Sequence, residues 1–558
     1  MNSPGFNLAH HFAWLNPTCP FSATVLNCRH STAMSSQPRA RLISRITFPW
    51  RHVIQLCALL GPVAAAIPAP AQAAKQTFEI NVAEQGSMRP LPCRIHLKDD
   101  AGTAVRVHTL PFFRDHFVCP GTASLELAPG TYRFEIERGP EYALRSGTFA
   151  VAPDAPRKLA VEMERVADLA AEGWWSGELH VHRPARDIEL LMRAEDLHVA
   201  PVMTWWNNQN QWTNQPIPEQ RLVRFDGNRF HHLMAGEDER EGGALLYFNL
   251  PRPLAIAGSS REFPSPMKFL AEARQQREVW VDVEKPFWWD APLWFASGMV
   301  DSVGLANNHM CRDQMYETEA WGRARDAARL PAPRGNGYWT QEIYYHLLNC
   351  GLRLPPSAGS ASGVLPNPVG YNRVYVHLGN TITYEKWWEG LRAGRSFVSN
   401  GPLLRCRANG ELPGHVFSAP AGGKLTIKLT TQLTTRENVP AVEVIKNGRV
   451  AEAVRFAATA GERPLAEIEF TESGWFLVRA VTDTQKTFRF ASTAPFYVQV
   501  GEVKRRVSRA SAQFFLDWVR ERQGRIKLPE GPQRVEVLRH HEAAEKFWRE
   551  KVAQATVD

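Results

Sequence analysis

Cysteine is scarce in this chain and poorly spaced for metal. Of eight cysteines, Cys19, Cys28 and Cys57 precede residue 75, and Cys311, Cys350 and Cys406 stand far apart. No C-x-x-C occurs, which argues against a structural thiolate zinc site. Cys93 and Cys119 share one β-rich region and can pair in an oxidising compartment, a point that spacing alone does not decide. Glycine-rich phosphate loops are missing as well, since Gly242-Gly243 and Gly335-Asn336-Gly337 are too short. There is no G-x-S-x-G nucleophile turn, no internal repeat and no low-complexity tract. Basic charge is weaker than it looks. The formal charge is +8, but residues 1–74 hold five arginines and no Lys, Asp or Glu, leaving +3 on the other 484 residues. With no basic face or reading motif, nucleic acid is not an expected partner.

What is present is ample apolar chain: 558 residues, 44% hydrophobic and 22% charged. That excludes a disordered or fibrous protein and leaves room for two to four domains. Residues 34–51 are basic, 53–67 apolar, and Ala69-Pro70-Ala71-Gln72-Ala73-Ala74 follows. This is the order of a secretory signal cleaved after Ala71 or Ala73. The expected organisation is therefore a leader over 1–74, with the signal at about 34–74 and Met34 as its start, and a periplasmic or secreted mature protein. The apolar run is interrupted by Pro62 and, at about 15 residues, is short for a spanning helix of about 20. No later run is long enough to span, so no transmembrane segment is expected in the mature chain.

Residues 75–165 read as short alternating strands, such as 78–82, 132–137 and 159–163, the pattern of a small β-sandwich. Residues 166–405 alternate helical stretches (187–197, 266–276, 342–350) with apolar strands (200–204, 279–283, 300–305), and they hold 13 of the 18 tryptophans. Such alternation predicts an α/β domain, a barrel by its length of about 240 residues. Residues 406–500 return to strand patterns and predict a second sandwich. Residues 501–558 predict a helical tail with an apolar stripe at Phe514, Phe515, Trp518 and Val519.

The sharpest chemical signal is Gly177-Glu178-Leu179-His180-Val181-His182. Two histidines one residue apart project to the same face of a strand, and neutral imidazoles converging there suit zinc, iron or manganese. Asp187 follows as an oxygen donor. Asp282 and Glu284 are two apart on a strand and share a face, and His309 follows the strand at 300–305. Trp205-Trp206, Trp288-Trp289 and Trp387-Trp388 are unusual pairs. On an active face, Trp205, Trp206, Trp288 and Trp289 would stack aryl rings or sugars. Asn207 and Asn208, with Gln209, Asn210 and Gln211, add neutral donors and acceptors suited to hydroxyl-rich ligands. Asp238, Glu239 and Glu241 read as solvated or paired with Arg240.

The stretch Gly173-Trp174-Trp175-Ser176-Gly177-Glu178-Leu179-His180-Val181-His182, with Gly236-Glu237 and 395–402, resembles the PHP (polymerase and histidinol phosphatase) superfamily. It is closest to the exported CehA/McbA-like metallohydrolase branch. The resemblance covers roughly 170–405. It implies an α/β distorted (β/α)7-type barrel flanked by two small all-β sandwich domains, and hydrolysis with up to three metal ions. His180, His182 and Asp187 fall on the first motif and Glu237 on the metal-bridging glutamate. Elsewhere the pattern departs. Thr204-Trp205-Trp206-Asn207 replaces the T-D-H motif, Glu284-Lys285-Pro286 the His-Pro step, and Ser360-Ala361-Ser362-Gly363 the terminal D-x-H. The ligands left suffice for one divalent ion of zinc, manganese or iron, drawn from His180, His182, Asp187, Glu237, Glu284 and His309. Glu237 is expected to bridge or act as general base, and Lys285 or His309 to steady charge on a substrate oxygen. Expected substrates are esters, carbamates, phosphoesters or glycan-linked groups. The rival readings are a non-catalytic sugar- or aromatic-binding protein on the same eroded scaffold, and a structural surface component.

Overall fold

The structure, a computed structural model, describes residues 74–455, 461–503 and 505–558. The leader and its signal lie outside the described residues. In the first layer, strands alternate buried and exposed side chains, as in Gly130–Glu137. Half-buried strands of this kind close a core only against a second sheet. A three-stranded sheet built on Gln76–Glu84 therefore faces a five-stranded sheet that includes Cys93–Lys98, His116–Cys119 and Gly130–Glu137. Phe78, Ile80, Ile95, Phe117 and Ile136 fill the space between them.

The expected (β/α)7-type barrel is overturned. Strands make up 37% of the structure and helices 19%, with seven α-helices among the described residues. The central strands do close into a ring and helices still link several of them, but antiparallel pairs replace part of the all-parallel order. Arg229–Arg240 runs parallel to Val199–Trp206, then turns back through Glu241 and Gly242 into antiparallel Gly243–Phe248. That strand in turn pairs antiparallel with Trp280–Val283. A two-residue turn can join antiparallel strands but never parallel ones, so no helix is needed there. The ring is also continuous with the next layer, because Ser396–Ser399 pairs with Phe490–Thr493. The latter strand belongs to one sheet of residues 406–500. The facing sheet is Leu403–Ala408, Leu425–Thr434 and Arg463–Phe470, over a core that includes Leu404, Ile427, Phe476 and Phe496.

Two helices end the chain, Arg509–Gly524 and Pro532–Ala553. Ser508 caps the first by accepting from the Ser511 amide. Phe515 stacks on Trp548 at 4.6 Å, and the Trp548 indole donates to the Pro292 carbonyl. Arg522 is buried between Glu262 and Asp290, at 2.6 Å from each. No helix among the described residues is long and apolar enough to cross a membrane.

The first layer is fastened to the ring at several places. The buried Asp196 carboxylate receives Arg138 and Arg165 at 3.0 Å each, and Arg229 from the ring at 2.6 Å. Val118 packs with Ile188, Leu191 and Met192 of the helix Ile188–Glu195. On the other side of that face, Arg114 donates to the Val364 carbonyl at 2.9 Å.

Candidate metal centre

The strand Trp174–Gly177 continues as extended chain through residue 182. The Val199 and Ala358 carbonyls accept from the Glu178 and Leu179 amides. Val181 bridges Val202 on one side and Ser362 on the other. Extended backbone aims His180 and His182 the same way. The segment 358–363 presses this backbone into place. A side chain at Gly359 would meet the His180 Cβ at 2.5 Å, and Gly363 has φ +106° against the His182 carbonyl. The buried Glu178 carboxylate takes the Ser360 amide at 2.7 Å and also the Gly370 amide. Residues 358–363 thus supply backbone support, not ligands.

Three donor atoms meet in front of this backbone. His180 Nε2 lies 3.0 Å from His182 Nε2 and 3.3 Å from Glu237 Oε2, and His182 Nε2 lies 3.1 Å from the same oxygen. Donors around a tetrahedral ion, with bonds of about 2.0–2.1 Å, stand about 3.3–3.4 Å apart. The triangle is therefore close to ligand size. Glu237 comes from Arg229–Arg240, opposite Trp206. His180 and Glu237 are buried, and the His182 side chain is 9% exposed.

Glu284 approaches His180 from behind. Its Oε1 lies 3.2 Å from His180 Nδ1, although the ring N–H is out of line for a full hydrogen bond. Its other contacts are the Lys285 ammonium at 2.5 Å and the Asn308 amide at 2.5 Å. A carboxylate behind the far nitrogen of a ligating imidazole is the usual outer support of a metal site.

The charges in this pocket are tightly coupled. Burial alone would lower the His180 imidazole, but Glu237 and Glu284 push it to about 10. Burial opposes ionisation of Glu237, yet His180 and His182 hold its carboxyl well below the usual range. Glu284 is likewise held down, against burial, by Lys285 and His180. With Lys285 offsetting Glu284, the His180 proton is the positive charge that balances Glu237. A divalent cation on the three donors would displace that proton and supply the charge itself. The residues present therefore fit one ion.

Sequence reasoning missed Glu239. It was read as solvated, but it shares the Glu237 face two residues on, and the Trp206 indole donates to it at 2.9 Å. Burial, then Glu237 and Glu284, raise its carboxyl to about 8. The two-residue spacing puts it on the Glu237 face but does not by itself say that this face turns inward. Asp238 does pair with Arg240, at 2.6 Å.

Several expected site residues lie elsewhere. Asp187 begins the helix Ile188–Glu195 with its carboxylate near Arg186, outside the donor triangle, because the chain turns away at Pro184. Glu284 reaches His180 Nδ1, not the triangle, and so stands behind the ligands. Lys285 is committed to Glu284 and lies 4.4 Å over the Trp288 ring. His309 packs against Phe287 and Tyr316, and burial and Lys285 lower its imidazole to about 3. It is thus neither a triangle donor nor a proton carrier near neutral pH. Asp282 accepts from the Ser302 and Ser357 hydroxyls, and burial raises it to about 6.

A cavity of about 490 Å³ opens beside His182, lined by Trp206, Gln209, Asn210, Gln211 and Val364 among others. Trp206 stands 5.0 Å from the His182 ring. Trp205 borders this cavity but is 2% exposed, packed over Gly236 and Tyr247. Trp288 is buried, and Trp289 packs on Trp518 and under Arg525, so neither forms the expected wall. Trp387 and Trp388 are core. Asn207 and Asn208 spend their side-chain oxygens on the Glu239 and Gly258 amides and shape the turn, leaving the next three amides to line the cavity.

A second group, His96, Asp115 and His116, lies in the first layer. Each Asp115 oxygen takes one imidazole, at 3.1 and 2.9 Å, so ordinary hydrogen bonds account for it. Comparison with protein-family models, with curated proteins and with solved structures finds no match for this chain.

Proposed function

We propose that this chain is an exported metal-dependent hydrolase acting on an ester, carbamate, phosphoester or glycan-linked substrate. The observation that carries the reading is the meeting of two imidazoles and one carboxylate at 3.0–3.3 Å beside an open cavity. The resemblance of residues 173–182 to the PHP opening supports it, as does the leader pattern for export. His180, His182 and Glu237 would hold one zinc, manganese or iron ion. Such an ion supplies Lewis acidity and lowers the pKa of water. Glu284 orients His180, and Lys285 keeps Glu284 ionised. Glu239, on the Glu237 face and held by the Trp206 indole, is placed to exchange a proton with a leaving oxygen. Trp206 and the neighbouring amides would seat an aryl ring or a sugar face.

Metal analysis of the purified protein and turnover of an aryl ester test this. About one ion per chain is expected, with activity lost to a chelator and restored by added zinc or manganese. His180→Ala and Glu237→Gln should each lose the ion. Failure to retain any added ion would defeat the reading. The cavity's Trp206 face and its three neutral amides favour one alternative, capture of a sugar or aromatic ligand without turnover. Binding on a glycan array with no hydrolysis would select it.

A further inference from the structure

We propose that Cys93 and Cys119 form a disulfide that staples two strands of the first layer in the mature protein. The two cysteines are directly opposed on the antiparallel strands Cys93–Lys98 and His116–Cys119. Opposed residues on such strands place their Cα atoms about 4.5–5.5 Å apart with side chains on one face. A disulfide needs about 4.4–6.8 Å. Both side chains are fully buried in the same core, beside Phe117 and Ile95.

The thiols already interact with each other. Cys93 and Cys119 hydrogen-bond, and the Gly121 amide donates to the Cys119 sulfur at 3.4 Å. Burial raises the Cys93 thiol well above its ordinary value, while the Cys93 hydrogen bond lowers Cys119. The other described cysteines offer no rival partner. Cys311 donates to the Asn308 carbonyl, and Cys350 and Cys406 are buried in other elements.

The chemistry needs an external disulfide, such as oxidised glutathione or a thiol oxidase carrying one. The thiolate of one of the two cysteines attacks it, forming a mixed disulfide and expelling one external thiolate. The thiolate of the other then attacks the cysteine sulfur of that mixed disulfide, expels the second external thiolate and closes the bond. Two electrons pass from the cysteine pair to the external disulfide, which leaves as two thiols, carrying the two protons. Burial of the finished fold means that this happens while the layer assembles.

The test is independent of the metal reading and of export. Full-length protein is unfolded and refolded in a glutathione redox buffer, then unfolded again and alkylated without reduction. Peptide mass analysis should find the Cys93 and Cys119 peptides joined and two hydrogens lighter in most chains. If most chains instead carry the alkylating label on both cysteines, the proposal is overturned. The melting temperature of the natural chain should also fall by several degrees in reductant. The Cys93→Ala/Cys119→Ala variant should show no such response. A natural chain indifferent to reductant would remove the stapling role. If the double variant does not fold, the mass result on the natural chain decides alone.

Discussion

Removing the Lys285 ammonium tests the charge economy of the metal centre directly. In the variant Lys285→Met, Glu284 keeps the Asn308 amide and the His180 edge but loses its strongest partner, in a place where its side chain is 4% exposed. Breaking one side of a buried pair costs about 3–5 kcal/mol, because the remaining charge is stranded. For a chain of this length about 1–2 °C of melting temperature per kcal/mol is a fair extrapolation, so the drop should be roughly 3–10 °C at pH 8. In Lys285→Met the stranded Glu284 carboxyl has a folded pKa above its unfolded value. Its penalty is therefore absent below the unfolded pKa and grows as pH rises, and the deficit should shrink toward pH 5. In Lys285→Met/Glu284→Gln no charge is stranded, and the melting temperature should recover by more than half. Scanning calorimetry of the natural chain, Lys285→Met, Glu284→Gln and the double variant at pH 5, 6.5 and 8 gives the full cycle. A single variant as stable as the natural chain at pH 8, or a double variant worse than the single, would refute the argument.

Other outcomes are expected. Arg522→Met leaves Asp290 buried without its cation and Glu262 with only Arg261 at 3.5 Å, which should cost about 3–5 kcal/mol and speed proteolysis of the terminal helices. Equal proteolysis rates would show that the helices dock without this pair. Gly359→Ala puts a methyl 2.5 Å from the His180 Cβ and should cost about 1–3 kcal/mol. It should also weaken zinc retention in competition with a coloured chelator, whereas unchanged affinity would mean the imidazole tolerates the push. His198 is buried against Ser176 and is lowered to about 3, by burial and then Arg229. Its folded pKa lies below the unfolded one, so stability is complete above about pH 6.5 and falls on acidification by about 1.4 kcal/mol per pH unit. His198→Asn should therefore lose less melting temperature between pH 7 and pH 5 than the natural chain. An equal loss would assign the acid sensitivity elsewhere.

The two histidines were legible because H-x-H is a local pattern with a strand period. Glu237 was expected only from the resemblance to the PHP motifs, and Trp205-Trp206 stood out as a pair in the slot of the T-D-H motif. Glu239 was not legible, since alternation alone cannot separate a solvated carboxylate from one folded inward under an indole. Asp187 failed because a ligand five residues on depends on where the chain turns, and Pro184 turns it away. The barrel failed for a topological reason. Strand and helix patterns in 166–405 were read correctly in places, as at Val199–Trp206 and Pro266–Ala273. The turn at Glu241-Gly242, however, reverses the chain and makes antiparallel what alternation alone would make parallel. The merging of Phe490–Thr493 into the central ring is a long-range pairing that no local window contains.

Asp196 gathers three guanidiniums, two of them from the first sandwich and the segment that follows it. A gene cut at residue 166, tidy on paper, would strip Arg138 and Arg165 from that carboxylate and lay bare the apolar helix flank that Val118 covers. It would also take away the Arg114 tether on Val364, a residue of the cavity rim. The amino-terminal sandwich thus braces one residue of the cavity rim from outside, and shortening the protein from that end should loosen that edge.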